Sequence, residues 1–349
     1  MAKAILVVDD SALIRKQLGN LFDRNGYDVG FAKNGLEAIE FIKEYDFDAI
    51  TMDINMPVMD GLSAVKEIMK IKPTPIVMVS SLTQDEADIT FEALELGAVD
   101  YVAKPGTLSL DLKRQEADIL SKISTAVTIP KSRLHIKKMA HKKTKTLLST
   151  PKTLPTKTEK LVLIGASTGG PGLIETILTS LPADYPYPVC VVQHMPESFT
   201  SVFAKRLDKN SAISVIEAKA GEIIKPGMAV IAKGGWHLHF AKKLTGELFI
   251  KLVPNTMNHF FCPSVDEMFF SASKVFNPKN ILAVELTGIG DDGADGMVEL
   301  RKKGAYTLGE SEESAVVYGM PRMAYERGGV VKQLPFEKIV NEILEYGRK

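Results

Sequence analysis

The sequence predicts two α/β domains, each built on a parallel sheet, joined by a basic linker. The first observation is that short apolar runs alternate with segments of helical spacing both before residue 130 and after residue 160. The second is charge: the chain has 43 basic and 43 acidic side chains, but residues 131–160 hold ten basic and one acidic. Its 349 residues also exceed the ~250–300 at which single cores stop growing. We therefore predict domains over 1–130 and 159–349 and a flexible linker over 131–158.

The first domain shows five apolar runs that predict five strands. They cover residues 5–8, 28–31, 47–52, 75–79 and 100–103. Leucines and other apolar residues recur at helical spacing between them, and residues 110–127 predict the last helix, ahead of Pro130. This alternation is typical of a doubly wound sheet with helices on both faces.

Charged and polar side chains follow the carboxyl ends of these strands. Asp9 and Asp10 end the first strand, Asp53 the third, Ser80 the fourth and Lys104 the fifth. Carboxyl ends of parallel strands share one rim, so we expect these groups to converge. Clustered carboxylates repel unless a divalent cation neutralises them, and oxygen ligands suit Mg²⁺. The rim predicts a phosphoryl-handling site, although each aspartate taken singly could be an ordinary turn or cap residue.

The same residues resemble the receiver domain of two-component response regulators over about residues 3–127. The resemblance rests on residues 7–10 (VVDD), 53–61 (DINMPVMDG), Ser80 and Lys104-Pro105. It implies a flavodoxin-like domain with a five-stranded parallel sheet and with Asp53 as the phosphoacceptor. It further implies Ser80 and Lys104 as phosphoryl contacts, Tyr101 as the switch aromatic and a cis Lys104–Pro105 bond. The Mg²⁺ site that it implies consists of Asp9, Asp10, Asp53 and Asn55, the last through its carbonyl oxygen.

The basic tract loses all periodicity, and Pro151 and Pro155 oppose a long helix. A nucleic-acid-binding or lipid-binding tract is the alternative, but it has no interleaved aromatics and no amphipathic pattern. We therefore expect no nucleic-acid partner and no membrane insertion.

No apolar run in the sequence approaches the ~20 residues of a membrane span. The N-terminal apolar run meets Asp9 and Asp10, unlike a signal peptide, so we expect a cytoplasmic protein.

The second domain shows strands over residues 161–165, 188–192, 229–232 and 281–286. Residues 165–169 match the G-x-S-x-G nucleophile elbow around Ser167, although a helix-capping turn has the same pattern. His194 follows the next strand on the same rim, and Asp291-Asp292 follows the strand at 281–286. A serine, a base and an orienting carboxylate are thereby predicted. Their order differs from that of α/β-hydrolases, so another esterase family is required.

Two other interpretations of this domain remain open. Residues 288–293 fit the dinucleotide fingerprint G-x-G-x-x-G, but two carboxylates inside the loop would repel a pyrophosphate. His237 and His239 share a face of a predicted strand and, with His259, could ligate zinc. Without a third ligand of defined spacing, packing and loop hydrogen bonds are favoured for these histidines.

The second domain resembles the catalytic domain of chemotaxis protein-glutamate methylesterases, the CheB family, over about residues 159–346. The matching stretches are 164–170, 193–196, 263–266, 286–294 and 318–321. The resemblance implies Ser167 as nucleophile, His194 as base and Asp292 as its orienting partner, with no cofactor for the ester chemistry. Two departures are Ile289, where methionine is common, and Cys262, where a basic residue is common.

The two resemblances together imply a phosphorylation-activated serine esterase in bacterial chemotaxis. It would hydrolyse glutamate γ-methyl esters on methyl-accepting chemoreceptors, release methanol and also deamidate receptor glutamines. A chemotaxis histidine kinase would be the phosphodonor. The rival hypothesis is a response regulator whose second domain binds DNA or a protein. Residues 161–349 are nearly neutral and αβ-patterned, which disfavours DNA binding.

Overall fold

The computed structural model describes residues 2–81, 83–105, 112–134, 154–155, 158–257 and 259–348. The chain separates into two compact units, Met1–His141 and Lys142–Lys349. Most of the predicted linker lies outside the described residues, so the boundaries at 130 and 159 stay predictions. Within the described residues, no helix has both the length and the apolar character needed to cross a membrane.

The first unit contains a five-stranded parallel sheet of order β2-β1-β3-β4-β5. Its strands are β1 Ala4–Val8, β2 Asp28–Ala32, β3 Ala49–Asp53, β4 Ile76–Ser80 and β5 Asp100–Ala103. Its helices are α1 Ala12–Asp23, α2 Gly35–Glu44, α3 Gly61–Ile71, α4 Gln84–Glu95 and α5 Leu112–Ala126. The predicted five-stranded parallel fold is confirmed.

Side-chain caps begin four of the helices that follow the strands of this sheet. Ser11, Asn34, Asp60 and Thr83 each accept a hydrogen bond from an N–H in the first turn of the helix they precede. β3 and β4 are buried along their whole length, as expected for strands covered on both faces. The chain therefore enters a capped helix after each of the first four strands, and the polar ends of these strands lie at one edge of the sheet.

The second unit contains a seven-stranded parallel sheet of order β14-β13-β12-β6-β7-β9-β8. Its strands are β6 Leu161–Ala166, β7 Val189–Gln193, β8 Ser214–Glu217, β9 Met228–Ile231, β12 Ile281–Glu285, β13 Tyr306–Glu310 and β14 Lys332–Leu334. Strands β10 Trp236–Lys242 and β11 Leu248–Pro254 form an antiparallel hairpin. The helices are α6 Gly170–Ser180, α7 Glu197–Asn210, α8 Val265–Val275, α9 Ala294–Lys302, α10 Met320–Glu326 and α11 Phe336–Tyr346.

The predicted α/β fold of this unit is also confirmed, with additions. Its four predicted strands correspond to β6, β7, β9 and β12. β8 and β14 have only four and three residues, too few for a periodicity to show. Strands β6, β7 and β12 are fully buried and adjacent in the sheet. Their carboxyl ends therefore bring the three turns singled out by the sequence to one place.

Lys160, just before β6, makes cation–π contacts with Tyr187 and with Tyr346 on the last helix of the unit. Its Nζ lies 5.1 Å from the ring centroid of Tyr187 and 4.8 Å from that of Tyr346. The two rings also meet each other edge to face at 5.6 Å. These cation–π contacts join the start of the sheet to its C-terminal helix.

Candidate phosphorylation and esterase sites

The acidic residues predicted to meet at the rim of the first sheet do meet. One oxygen each from Asp9, Asp10 and Asp53 lies within 4.8 Å of the others, and no other group of three such residues in the described part of the chain does so. Lys104 Nζ lies 2.7 Å from Asp53 Oδ1 and 3.6 Å from Asp9 Oδ2. Asn55 lies on the exposed turn that follows β3.

Burial makes this rim electrostatically unusual. Desolvation raises the pKa of Asp53 to about 6, against the hydrogen bond from Lys104 and with the help of the Asp9 charge. Desolvation also raises the pKa of Asp9. Burial disfavours the Lys104 ammonium, but the hydrogen bond and charge of Asp53 outweigh burial and raise the lysine pKa. One lysine therefore balances only part of the negative charge.

The donor set fits a hard divalent cation. Asp9 Oδ2 and Asp53 Oδ2 are buried and accept no hydrogen bond, so each has lone pairs available. Together with Asp10 and the Asn55 carbonyl they would supply the oxygen ligands that Mg²⁺ prefers. A bound dication would also relieve the repulsion between the carboxylates.

Ser80 is engaged by a residue that the sequence analysis missed. Its Oγ donates to Glu86 Oε2 at 3.0 Å, and Asn55 Nδ2 donates to Glu86 Oε1 at 3.0 Å. Thr83 and Glu86 have the spacing of a capping box, and the Glu86 N–H does donate to Thr83 Oγ1. The glutamate side chain, however, reaches the end of β4, where Ser81 N also donates to it. The capping-box spacing was the signal that could have drawn attention to Glu86.

Tyr101 points into the unit, 3% exposed, with Lys122 Nζ 5.1 Å from its ring centroid. It lies two strands from Asp53, at the register position opposite Met78. Between described residues, the one cis peptide bond is Cys262–Pro263. The expected cis Lys104–Pro105 bond is therefore wrong: from a trans bond, Lys104 still donates its N–H to Ser80 O at 2.7 Å and reaches Asp53.

In the second unit, strand register places Ser167 beside His194. Ala166 pairs with Gln193 across β6 and β7, so the next residue on each strand lies at the same rim. His194 N donates to Ala166 O at 3.1 Å, and Ser167 N donates to Thr287 O at 3.0 Å. The structure thus joins the G-x-S-x-G turn, the histidine turn and the turn after β12.

The same rim brings Asp292 to His194. His194 Nε2 and Asp292 Oδ2 are 2.7 Å apart. Ser264 Oγ and Val265 N each donate to Asp292 at 2.7 Å, and Asp266 N does so at 3.1 Å. Burial disfavours the charged carboxylate, but the bonds from His194, Val265 and Ser264 outweigh it and lower the pKa of Asp292. Asp292 is therefore held as an anion.

Asp291 has a different environment. Its carboxylate pairs with Arg327, which also binds Asp295 at 2.8 Å. The Asp291 side chain is 59% exposed, against 12% for Asp292. Of the two adjacent aspartates, Asp292 alone lies where it can orient the imidazole.

Ser167 has its hydroxyl available. No hydrogen bond of its side chain is found among the described residues, and His194 Nδ1 is buried without a partner. Because Nε2 is occupied by Asp292, Nδ1 is the nitrogen that remains for Ser167. Such a bond is often incomplete before substrate binds.

The glycine-rich turn after β12 lies directly against the serine. A Cβ on Gly288 would come 2.9 Å from Ser167 Cβ. Gln193 Nε2 fixes the serine turn from the other side by donating to Ser167 O at 2.9 Å. Residues 288–293 also fit the pattern of a dinucleotide-binding loop, but in the structure this turn packs against Ser167 and forms one wall of the serine site. Gln193, Ser264 and Thr287 lie in matched stretches, yet no role had been assigned to them.

An aromatic side chain covers His194. The rings of His194 and Phe261 are stacked at a centroid distance of 3.9 Å and an interplanar angle of 8°. Phe260 meets Phe261 edge to face at 4.8 Å. Nothing in the sequence analysis pointed to Phe261, because its partner is 67 residues away and on another element.

Two further acids lie beneath Asp292. Glu285 is 0% exposed, and neither of its carboxyl oxygens makes a hydrogen bond. Desolvation, and then the charges of Asp292 and Asp266, raise its pKa well above the ordinary value. Asp266 receives Gly296 N at 2.6 Å, but desolvation raises its pKa to about 7.

The histidines considered for zinc share a carboxylate. Glu267 lies 2.8 Å from His239 Nε2 and 3.3 Å from His259 Nε2. Ser264 N donates to His237 Nδ1 at 3.2 Å, and desolvation lowers the pKa of His237. Among the described residues, the possible ligand atoms of Asp9, Asp10 and Asp53 come close enough together to hold one metal ion, whereas those of the three histidines do not.

Comparison with known proteins gives consistent matches to both units. The family model described as CheB methylesterase matches residues 162–343, and the model described as response regulator receiver domain matches residues 5–112. A relative from Carboxydothermus hydrogenoformans, named protein-glutamate methylesterase/protein-glutamine glutaminase 2, is 47% identical over 99% of both chains. A relative from Caldanaerobacter subterraneus with the same activity in its name is 44% identical, over 99% of this chain and 97% of its own. The crystal structure of the Thermotoga maritima CheB methylesterase catalytic domain matches with TM-score 0.51 and 38% identity, covering 54% of this chain and 98% of that domain.

Proposed function

This chain belongs to the CheB methylesterase family, and on that premise we propose that it is a protein-glutamate methylesterase/protein-glutamine glutaminase controlled by phosphorylation of its receiver domain. It hydrolyses glutamate γ-methyl esters on chemoreceptors during chemotactic adaptation and deamidates receptor glutamines. The observation that carries the proposal is the buried His194–Asp292 pair, which joins the turns after β7 and β12, the two strands that flank the strand leading to Ser167.

Acylation uses the free edge of the imidazole. Ser167 Oγ attacks the ester carbonyl carbon while His194 Nδ1 takes the hydroxyl proton. Nε2–H remains donated to Asp292, whose negative charge stabilises the imidazolium that forms. The tetrahedral intermediate collapses, Nδ1 returns the proton to the departing oxygen and methanol leaves. A water molecule then attacks the acyl-enzyme by the same proton path, releasing glutamate and regenerating Ser167. With a glutamine substrate, ammonia replaces methanol.

The glycine turns supply the electrostatic environment of the oxyanion. Gly288 allows the main chain to approach Ser167 closely, and main-chain N–H groups there can face the developing charge. We propose the main-chain N–H of Ile289, in the same turn, for this role. Because the donor is a main-chain group, isoleucine in place of methionine leaves it intact.

Asp53 is the proposed phosphoacceptor, with a chemotaxis histidine kinase as phosphodonor. Mg²⁺ held by Asp9, Asp10, Asp53 and the Asn55 carbonyl would neutralise charge on the transferred phosphoryl group. Lys104, now 2.7 Å from Asp53, would shift its ammonium to a phosphoryl oxygen.

Ser80 would change partner in the same step. Its hydroxyl donates to Glu86 and would turn to the phosphoryl group, releasing one contact of α4. Exchange of partners at one strand end is a two-state device that phosphorylation can bias, and Tyr101 on the neighbouring strand is the proposed aromatic that responds.

We further propose that the unphosphorylated receiver restrains the esterase, because a receiver fused to a complete serine site needs a coupling. Removal of residues 1–150 should then raise basal methanol release. An unchanged basal rate would refute inhibition by the receiver.

The decisive assay is methanol release from methylated receptor, with and without a small phosphodonor. Ser167→Ala should abolish release while thermal unfolding is unchanged. Ser180→Ala, an exposed serine on α6, is the matched control and should behave as the parent chain. Retained activity in Ser167→Ala would remove Ser167 from the mechanism.

A further inference from the structure

We infer that Phe261 is a positioning residue for the esterase: its stacked ring holds the His194 imidazole so that Nδ1 faces Ser167, and it stabilises the imidazolium formed during acylation. This inference rests on the proposed function. It concerns a contact for which neither the sequence nor the family resemblance gives a role.

The geometry of His194 explains why a second constraint is needed. Asp292 holds Nε2 at 2.7 Å. A single hydrogen bond at Nε2, however, still allows the ring to rotate about the axis that joins Nε2 and Cβ. Turning would carry Nδ1 away from Ser167. Phe261 lies parallel to the imidazole at 3.9 Å and 8°, so a turn out of the plane would push the imidazole edge into the phenyl ring. Asp292 and Phe261 together therefore leave one ring orientation.

The stack also discriminates between the two charge states of the imidazole. The face of an aromatic ring carries negative charge density, so it attracts a cation more than a neutral ring. His194 becomes cationic only as it takes the proton of Ser167. The contact is therefore stronger in the transition state than in the resting enzyme, which is the condition for a contribution to kcat. A cation–π contact of ordinary strength corresponds to roughly a three- to thirtyfold effect on rate.

Phe261 is itself held firmly enough to act in this way. Asn255 fixes the main chain two residues before Phe261. Its Nδ2 donates to His259 O at 2.8 Å, and its Oδ1 accepts from His259 N at 2.9 Å. Gly235 N donates to Cys262 O at 3.1 Å on the other side of Phe261. The ring of Phe260 packs edge to face against the ring of Phe261.

The same segment reaches the other half of the catalytic pair. Ser264, three residues after Phe261, donates its Oγ to Asp292 Oδ1 at 2.7 Å. Residues 259–264 therefore fix the imidazole plane through Phe261 and the carboxylate through Ser264. A single loop thus aligns His194 and Asp292 with respect to each other.

The test compares Phe261→Leu, Phe261→Tyr and Tyr325→Leu in the full chain. Leucine keeps apolar bulk but has no flat face, so Phe261→Leu should lower kcat three- to thirtyfold and leave KM within twofold. Tyrosine restores the face and should restore kcat. Tyr325 is an exposed aromatic on α10, so Tyr325→Leu is the control and should keep kcat within twofold. Active-site titration with a serine-directed phosphonate gives kcat per functional site and so removes any loss due to unfolded protein.

Three results would overturn the inference. They are an unchanged kcat in Phe261→Leu, a raised KM with normal kcat, which would make Phe261 a substrate contact, and failure of Phe261→Tyr to restore the rate.

A second readout does not depend on turnover. The ¹⁵N spectrum of the imidazole should show one tautomer of His194, with the proton on Nε2, in the parent chain and in Phe261→Tyr. Phe261→Leu should show exchange between tautomers or ring orientations. If the parent chain released no methanol, the proposed function would fail, while this spectrum would still decide whether Phe261 positions His194. Identical spectra in the parent and Phe261→Leu would refute positioning.

Discussion

Glu285 makes the stability of the esterase unit depend on pH in a way that Glu285→Gln should remove. Glu285 ends β12 and is 0% exposed, with no hydrogen bond to either carboxyl oxygen. It occupies space left by two glycines: a Cβ on Gly165 would lie 2.9 Å from Oε1, and one on Gly293 would lie 2.2 Å from Oε2. Burial and the neighbouring Asp292 and Asp266 charges raise its pKa. The native protein therefore keeps a proton here that the unfolded chain releases.

The sign and size of the effect follow from proton linkage. Above the ordinary pKa of 4.5 and below the raised native pKa, folding takes up one proton, so the free energy of unfolding falls by about 1.4 kcal/mol per pH unit. For a unit of this size, each pH unit within that range corresponds to about 3–6 °C in Tm. Glutamine has the same shape and no proton to lose, so Glu285→Gln should lack this slope.

The assay is thermal unfolding of the full chain followed by tryptophan fluorescence. The chain has one tryptophan, Trp236 on β10, so the signal reports the unit that contains Glu285. The advantage in Tm of Glu285→Gln over the parent chain should grow as the pH rises above 5.5. Asp266 titrates in both proteins and cancels in the difference. Glu313→Gln, at an exposed position, should give a pH-independent difference. A pH-independent difference for Glu285→Gln as well would refute the buried neutral acid.

Substitutions at Asp292, Gly165 and Lys160 test three other contacts of the esterase unit. Asp292→Asn should lower kcat by about 10³–10⁴, because asparagine cannot stabilise the imidazolium, and should also lower Tm, because its NH2 group would face a main-chain N–H that now donates to Asp292; a loss of kcat below tenfold in the methanol assay would contradict the role of Asp292. Gly165→Ala should destabilise the unit by roughly 1–3 kcal/mol, since the new Cβ would meet Val265 Cγ1 at 2.4 Å; an unchanged tryptophan-monitored Tm would show that the site can relax. Lys160→Met should cost about 1 kcal/mol through lost cation–π contacts with two tyrosines, whereas Lys160→Arg should keep most of it; equal Tm values for both variants would count against the contact.

Much of the two sites could be predicted from the sequence because parallel sheets obey a simple rule. Strand ends at Asp9, Asp53 and Lys104 had to share a rim if the apolar runs formed one parallel sheet, and the contacts of Lys104 with both aspartates show that they do. The same rule placed Ser167 beside His194. Apolar periodicity is local, so it identifies strands and helices without knowledge of their neighbours.

Side-chain partners from distant segments could not be predicted in this way. Whether Asp291 or Asp292 binds His194 depends on how the turn after β12 is oriented, and only the structure shows Asp291 on Arg327. Glu86 was hidden because a helix-cap pattern does not show that its side chain reaches the preceding strand end. The trans Lys104–Pro105 bond likewise corrects an expectation that the resemblance supplied.

By itself the sequence determined the element types, the parallel sheets, the two polar rims and the chemistry available at each, because these depend on residue type and spacing along the chain. The tertiary structure decided the strand order, the stacking of Phe261 on His194 and the burial of Glu285 beneath Asp292. Those features depend on which remote segments pack together and on how much water they exclude. Burial sets the pKa of an acid and packing sets the orientation of a ring, and neither is encoded in local spacing.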